Sequence, residues 1–153
     1  MERGAFELAS ALAVNKYLIF LNLTGNSIGN EGLSYLLPAI AHCGTLERLD
    51  ISSNEITSGP IRQLILKEKA RQGHVNPFFQ DLDFRALMPF KNNRLMEEDQ
   101  GEIKRYRLQT AFLIEEFLSR ATCLKEFVIK GNKIGDEGMR HISKAFSEQK
   151  SRL

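Results

Sequence analysis

The residues of this 153-residue chain that could do chemistry are three histidines, two cysteines, a run of acids and recurring glycines. A helical zinc site places a second ligand three or four residues after the first. His42, His74 and His141 have none there and read as ordinary surface or partly buried histidines. Glu97-Glu98-Asp99 lacks the alternating spacing of a calcium loop and reads as a solvated charge run. Gly25, Gly29 and Gly32 resemble a phosphate-cradling loop in isolation. The same set returns at Gly131, Gly135 and Gly138, and no G-x-x-x-x-G-K-[ST] is present. Asn22-Leu23-Thr24 spells a glycosylation sequon, discounted because it falls inside a repeated segment. The sequence therefore predicts no catalytic, cofactor-binding or metal residues, no cofactor and no enzyme.

Bulk properties narrow the partner. The formal net charge is +2, with 42% hydrophobic and 26% charged residues, values ordinary for a soluble globular domain. That balance favours neither nucleic acid nor an anionic membrane. No apolar run reaches the roughly 18 residues that span a bilayer. Met1-Glu2-Arg3-Gly4 is unlike a secretory signal, and Cys43 and Cys123 are too few for a disulfide framework, so a cytoplasmic location with reduced thiols is expected.

What positions residues in this chain is a repeat. Residues 18–40 and 124–146 superpose position by position. Leu18, Leu21 and Leu23 match Leu124, Phe127 and Ile129, and Asn26 matches Asn132. Ile28-Gly29 and Glu31-Gly32 match Ile134-Gly135 and Glu137-Gly138. Leu36, Ala39 and Ile40 match Ile142, Ala145 and Phe146. A further copy runs through Leu46, Leu49, Ile51, Asn54 and Ile56, 28 residues after the first. A half copy opens the chain at Gly4, Leu8, Ala11 and Leu12.

This pattern resembles the leucine-rich repeats, in particular the ribonuclease-inhibitor-like subtype with its 28-residue unit. The resemblance covers about residues 4–64 and 108–146. It implies a single α/β domain over 1–153, a short solenoid in a horseshoe arc, with strands on the concave face and helices on the convex face. The L-x-x-L-x-L spacing turns alternate strand side chains into the core. The resemblance further implies that the asparagine amide bonds the turn that follows. Glycines at 29 and 32 allow tight geometry or close approach, and Leu33, Leu36, Ala39 and Ile40 form a buried helical stripe.

Between Leu46 and Leu124 the period breaks. The span is 78 residues, two regular units need 56, and 22 remain. Thr57 or Ser58 suits a helix cap and Pro60 a first turn, but Lys67 and Glu68 occupy the core positions of a helix ending near Gly73. Phe79, Leu82 and Phe84 repeat the strand spacing, giving an irregular, insertion-bearing third unit around 74–123, with Leu87 in place of its asparagine. Residues 91–102 are expected as a mobile polar loop, followed by a helix near Ile103–Ala121. Four parallel strands follow, near 18–23, 46–51, 79–84 and 124–129. With two layers between them, Cys43 and Cys123 would stand about 16–20 Å apart, too far for a disulfide.

The expected function is a non-catalytic interaction module, an adaptor or scaffold for a protein partner. The candidate contact strip is Asn22, Thr24, Asp50, Ser52, Asp83, Arg85, Val128 and Lys130 on the concave face, acidic in the middle and basic towards the last strand. Phe84, Met88 and Phe90 are candidates from the insertion. The alternative is a regulator of a small GTPase resembling Ran GTPase-activating proteins, or a cytoskeletal or ciliary component. The first strand has an open edge, so a homodimer or another neighbour is expected to cover it.

Overall fold

In the computed structural model the residues described are 2–61, 90–91, 94–95 and 108–150. Helix α1 spans Glu2–Val14, strand β1 Phe20–Asn22, helix α2 Gly29–Cys43 and strand β2 Arg48–Asp50. Short strands β3, Phe90–Lys91, and β4, Arg94–Leu95, pair antiparallel. Helix α3, Gln109–Arg120, strand β5, Glu126–Val128, and helix α4, Gly135–Lys150, complete the order. No described helix is long and apolar enough to cross a membrane.

β1, β2 and β5 form one parallel sheet in the order β1-β2-β5. Phe20, Leu21 and Asn22 pair with Arg48, Leu49 and Asp50, and these with Glu126, Phe127 and Val128. Leu49, Ile51 and Ile56 are fully buried beneath the sheet, against Leu33, Leu36, Leu37, Ile114 and Leu118 of the helices. Strand, turn and helix thus recur as an α/β repeat fold.

The direct pairing of β2 with β5 corrects the unit count. A strand at 79–84 cannot lie between them; residues 79–84 themselves fall outside the described residues. The helix that completes the second unit is α3. Relative to α2 it is shifted by 78 positions, so Ile114, Phe117 and Leu118 stand where Leu36, Ala39 and Ile40 stand, all buried. Subtracting a 28-residue unit from 78 leaves 50 residues inserted within one unit, rather than 22 beside an extra one.

The stem of that insertion is visible. Thr110 donates its N–H to Ser58 O at 3.2 Å and to Gly59 O at 3.0 Å, and its hydroxyl to Gly59 O at 2.7 Å. Ile61 N–H donates to Gln109 Oε1 at 2.6 Å. The chain therefore leaves and returns at one point, the turn before the helix. The described helix α3 starts at Gln109, while Ile103, expected as the helix start, lies outside the described residues; the stretch expected as a loop from residue 91 opens on the β3–β4 pair.

The asparagines weld the units together. Asn54 Oδ1 accepts from Asn26 N at 2.9 Å and Ile28 N at 3.3 Å, while its Nδ2 donates to Leu23 O and Ser52 O. Asn132 repeats this one unit on, accepting from Asn54 N and Ile56 N and donating to Ile51 O and Ile129 O. Each amide satisfies backbone groups of its own turn and of the turn one unit before. Gly32 is required for close approach: a Cβ there would lie 2.7 Å from Ile28 Cγ2 and 3.2 Å from Ala5 Cβ. Gly29 adopts φ +64°, a left-handed conformation that suits glycine.

Candidate functional site

Alternation along each strand leaves one set of side chains on the face of the sheet turned away from the helices. Asn22, Asp50 and Val128 lie in register across it. Thr24, Ser52 and Lys130 form the next row, because the ladder continues past the strands: Gly25 N donates to Ser52 O and Ser53 N to Lys130 O, at 3.0 and 2.8 Å. Six of the expected strip residues are thus brought together. Asp83, Phe84, Arg85 and Met88 lie outside the described residues. Phe90 contributes backbone to β3.

Direct β2–β5 pairing sets Asp50 beside Val128, so among the described residues Asp50 is the acid in the middle of the strip. That carboxylate accepts Ser52 N–H at 3.0 Å, as Asn22 Oδ1 accepts Thr24 N–H at 2.9 Å. Its pKa is held below the usual carboxylate value by the Ser52 hydroxyl first, then by the Ser52 N–H, the Thr24 hydroxyl and the Arg48 charge. Asp50 is half-buried rather than solvent-facing, and Ser52 is buried. The acid belongs to the architecture of the strand end as much as to the surface.

A second row on the same face was missed from the sequence. Phe20, Arg48 and Glu126 are in register one step towards the strand starts. The Arg48 guanidinium lies 4.8 Å from the Phe20 ring centroid and its Nε 3.1 Å from Glu126 Oε2. Beyond it, Lys125 Nζ meets Glu47 Oε2 at 2.9 Å. These pairs are exposed and each is worth at most about 1 kcal/mol. On the face itself, Arg48 and Lys130 are matched in number by Glu126 and Asp50, which leaves little net charge. The signal was available: whatever puts Asn22 on this face puts Phe20 there too, two residues earlier.

Cys43 is buried and Cys123 exposed, and both thiols are free. Because α3 completes the second unit, one layer separates them and not two. Among the described residues no group of three His, Cys, Asp or Glu side chains is placed to hold a metal ion.

A family model described as Leucine Rich repeat matches residues 14–37, 42–59 and 120–143. The chain carries leucine-rich repeats at three places. The second match stops at residue 59, where Gly59 enters the inserted segment, and the third begins at residue 120, at the end of α3. Such repeats commonly mediate protein–protein interaction. No curated protein matches the chain.

Proposed function

We propose that this chain is a non-catalytic protein–protein interaction module, an adaptor or scaffold that binds a partner protein through the helix-free face of its sheet. One observation carries the reading. Across three units that face holds Phe20 and Val128 beside Arg48 paired with Glu126 and Asp50 bonded to the Ser52 N–H, with Lys130 as a single further cation among the described residues. A phosphate backbone needs unpaired cations in a row, whereas a protein surface is matched by apolar contacts within a satisfied polar surround. The 28-residue offset between the first units and the 15-residue α2 support the ribonuclease-inhibitor-like subtype, in which the strand face is the concave face. The free thiols support a cytoplasmic location.

The test is affinity purification from the source cell with three baits: the natural chain, Phe20→Asp with Val128→Asp, and Lys144→Glu on the exposed surface of α4. Circular dichroism first confirms that all are folded. A partner retained by the natural chain and by Lys144→Glu but lost with the face variant supports the proposal. A partner retained by all three overturns it.

A further inference from the structure

The edge of β1 turned away from β2 carries no strand among the described residues. Residues of a parallel ladder alternate in the side to which they turn their backbone groups. Ile19 O accepts from Arg48 N and Leu23 N donates to Asp50 O, so Phe20 and Asn22 turn their N–H and C=O groups away from β2. Below this edge lies a cavity of about 210 Å³ lined by Gly4, Ala5 and Leu8 of α1 and by Leu23, Asn26, Ile28 and Leu36. Leu23 and Ile28 are partly exposed on it, while their equivalents one unit on, Ile51 and Ile56, are fully buried. Val14, Tyr17, Ile19 and Phe20 add exposed apolar surface at this end of the molecule. Natural edges are usually blunted by charge; Phe20-Leu21-Asn22 has none.

The unit-to-unit contact seen twice within the chain specifies what fits. Asn54 and Asn132 each accept two backbone N–H groups from the unit on their N-terminal side. Asn26 Oδ1 is the third member of this series, and it borders the cavity. α1 already holds the helix position beside α2, so a whole repeat unit stacked there, such as the β5–α4 end of a second copy, would collide with it. A strand and its turn would not.

We propose that the β1 edge and the cavity under α1 bind an extended segment of a partner protein, added parallel to β1, with alternating apolar residues and a turn after them. Its backbone pairs with Phe20 and Asn22. Its apolar side chains enter the cavity between α1 and Leu23. Two N–H groups of its turn donate to Asn26 Oδ1. This site uses the main-chain groups of Phe20 and Asn22 and the cavity under α1, whereas the sheet face uses the Phe20 and Val128 side chains; Leu8→Trp blocks the cavity and leaves the face unchanged, so the two readings fail separately.

The test uses the full chain and a labelled synthetic peptide of residues 46–56, LERLDISSNEI, the segment that lies in this way against β5. Anisotropy should show saturable binding. In β2 the N–H groups of Ile51 and Ser53 point to β5, and that of Arg48 points to β1. N-methylation at the Ile51 and Ser53 positions should weaken binding by about tenfold or more, whereas N-methylation at the Arg48 position should leave it unchanged. Leu8→Trp, which fills the cavity from a helix surface, should abolish binding while circular dichroism stays native. Absence of saturable binding overturns the proposal, as does equal sensitivity to both methylation patterns. Sedimentation showing a dimer that the peptide cannot dissociate overturns it in favour of a second copy.

Discussion

Replacing Asn54 with Ala removes four hydrogen bonds at once. Its Oδ1 bonds Asn26 N and Ile28 N, and its Nδ2 bonds Leu23 O and Ser52 O. The side chain is fully buried, so no water replaces it. Each net bond is worth about 0.5–1.5 kcal/mol, and a buried group left unsatisfied costs about 1–3 kcal/mol. The variant should therefore lose roughly 3–6 kcal/mol, a large share of the total for a domain of this size. Asn26→Ala is the internal control. Asn26 is exposed and donates only to Leu23 O and Thr24 O, so its loss should be about 1 kcal/mol. Asn132→Ala removes four bonds at a half-buried site and should fall between them. Urea denaturation of the three variants, followed by circular dichroism, gives the order. Equal losses at positions 26 and 54 would refute the idea that these amides join neighbouring units rather than only shape their own turns.

Three further outcomes follow. Leu49→Ala truncates a fully buried side chain in the middle strand and should cost about 2–5 kcal/mol by chemical denaturation, with a much smaller change for Lys125→Ala. Joining Ser58 directly to Gln109 deletes residues 59–108 and restores a 28-residue unit; it removes the buried Ile61 and Leu108 but also a long loop closure, so cooperative unfolding should survive. A molten product would place part of that segment in the repeat core. Asp50 has a folded pKa below its ordinary value of about 3.8. Its contribution is therefore present above that value and lost as pH falls through the folded pKa. The stability gap between the natural chain and Asp50→Asn should shrink from pH 5 to pH 2.5, and a gap that widens on acidification would contradict the assigned contacts.

The unit itself was legible because each of its positions answers a local demand. Leu18, Leu46 and Leu124 mark the strand starts, Asn26, Asn54 and Asn132 the turns, and Gly32 and Gly138 the close approaches, where a Cβ would meet Ile28 and Ser58. The number of units was not legible. Phe79, Leu82 and Phe84 carry the same three-residue spacing, and spacing alone cannot say which strand a segment pairs with. That is decided by hydrogen bonds between residues 78 apart, such as Asn54 N to Asn132 Oδ1. Lys67 and Glu68 on core positions were the local sign that the helix of the second unit lay elsewhere. On the sheet face, Asn22, Thr24, Asp50, Ser52, Val128 and Lys130 followed from alternation. The row of Phe20, Arg48 and Glu126 lies before the inward residues Leu21, Leu49 and Phe127, and its link is a cation–π contact and an ion pair between strands that spacing within one strand does not show. Nor could composition show that Asp50 bonds the Ser52 N–H, since that contact depends on the strand end.

The proposed binding face is tested most directly by site-specific photo-crosslinking in the source cell. A photoreactive side chain is placed in turn at Asn22 and Val128 on the sheet face, and at His42 and Lys144 on exposed helix positions. The account predicts one partner protein crosslinked from Asn22 and Val128 and absent from His42 and Lys144. Crosslinks that arise from the helix positions while both face positions stay silent would contradict it.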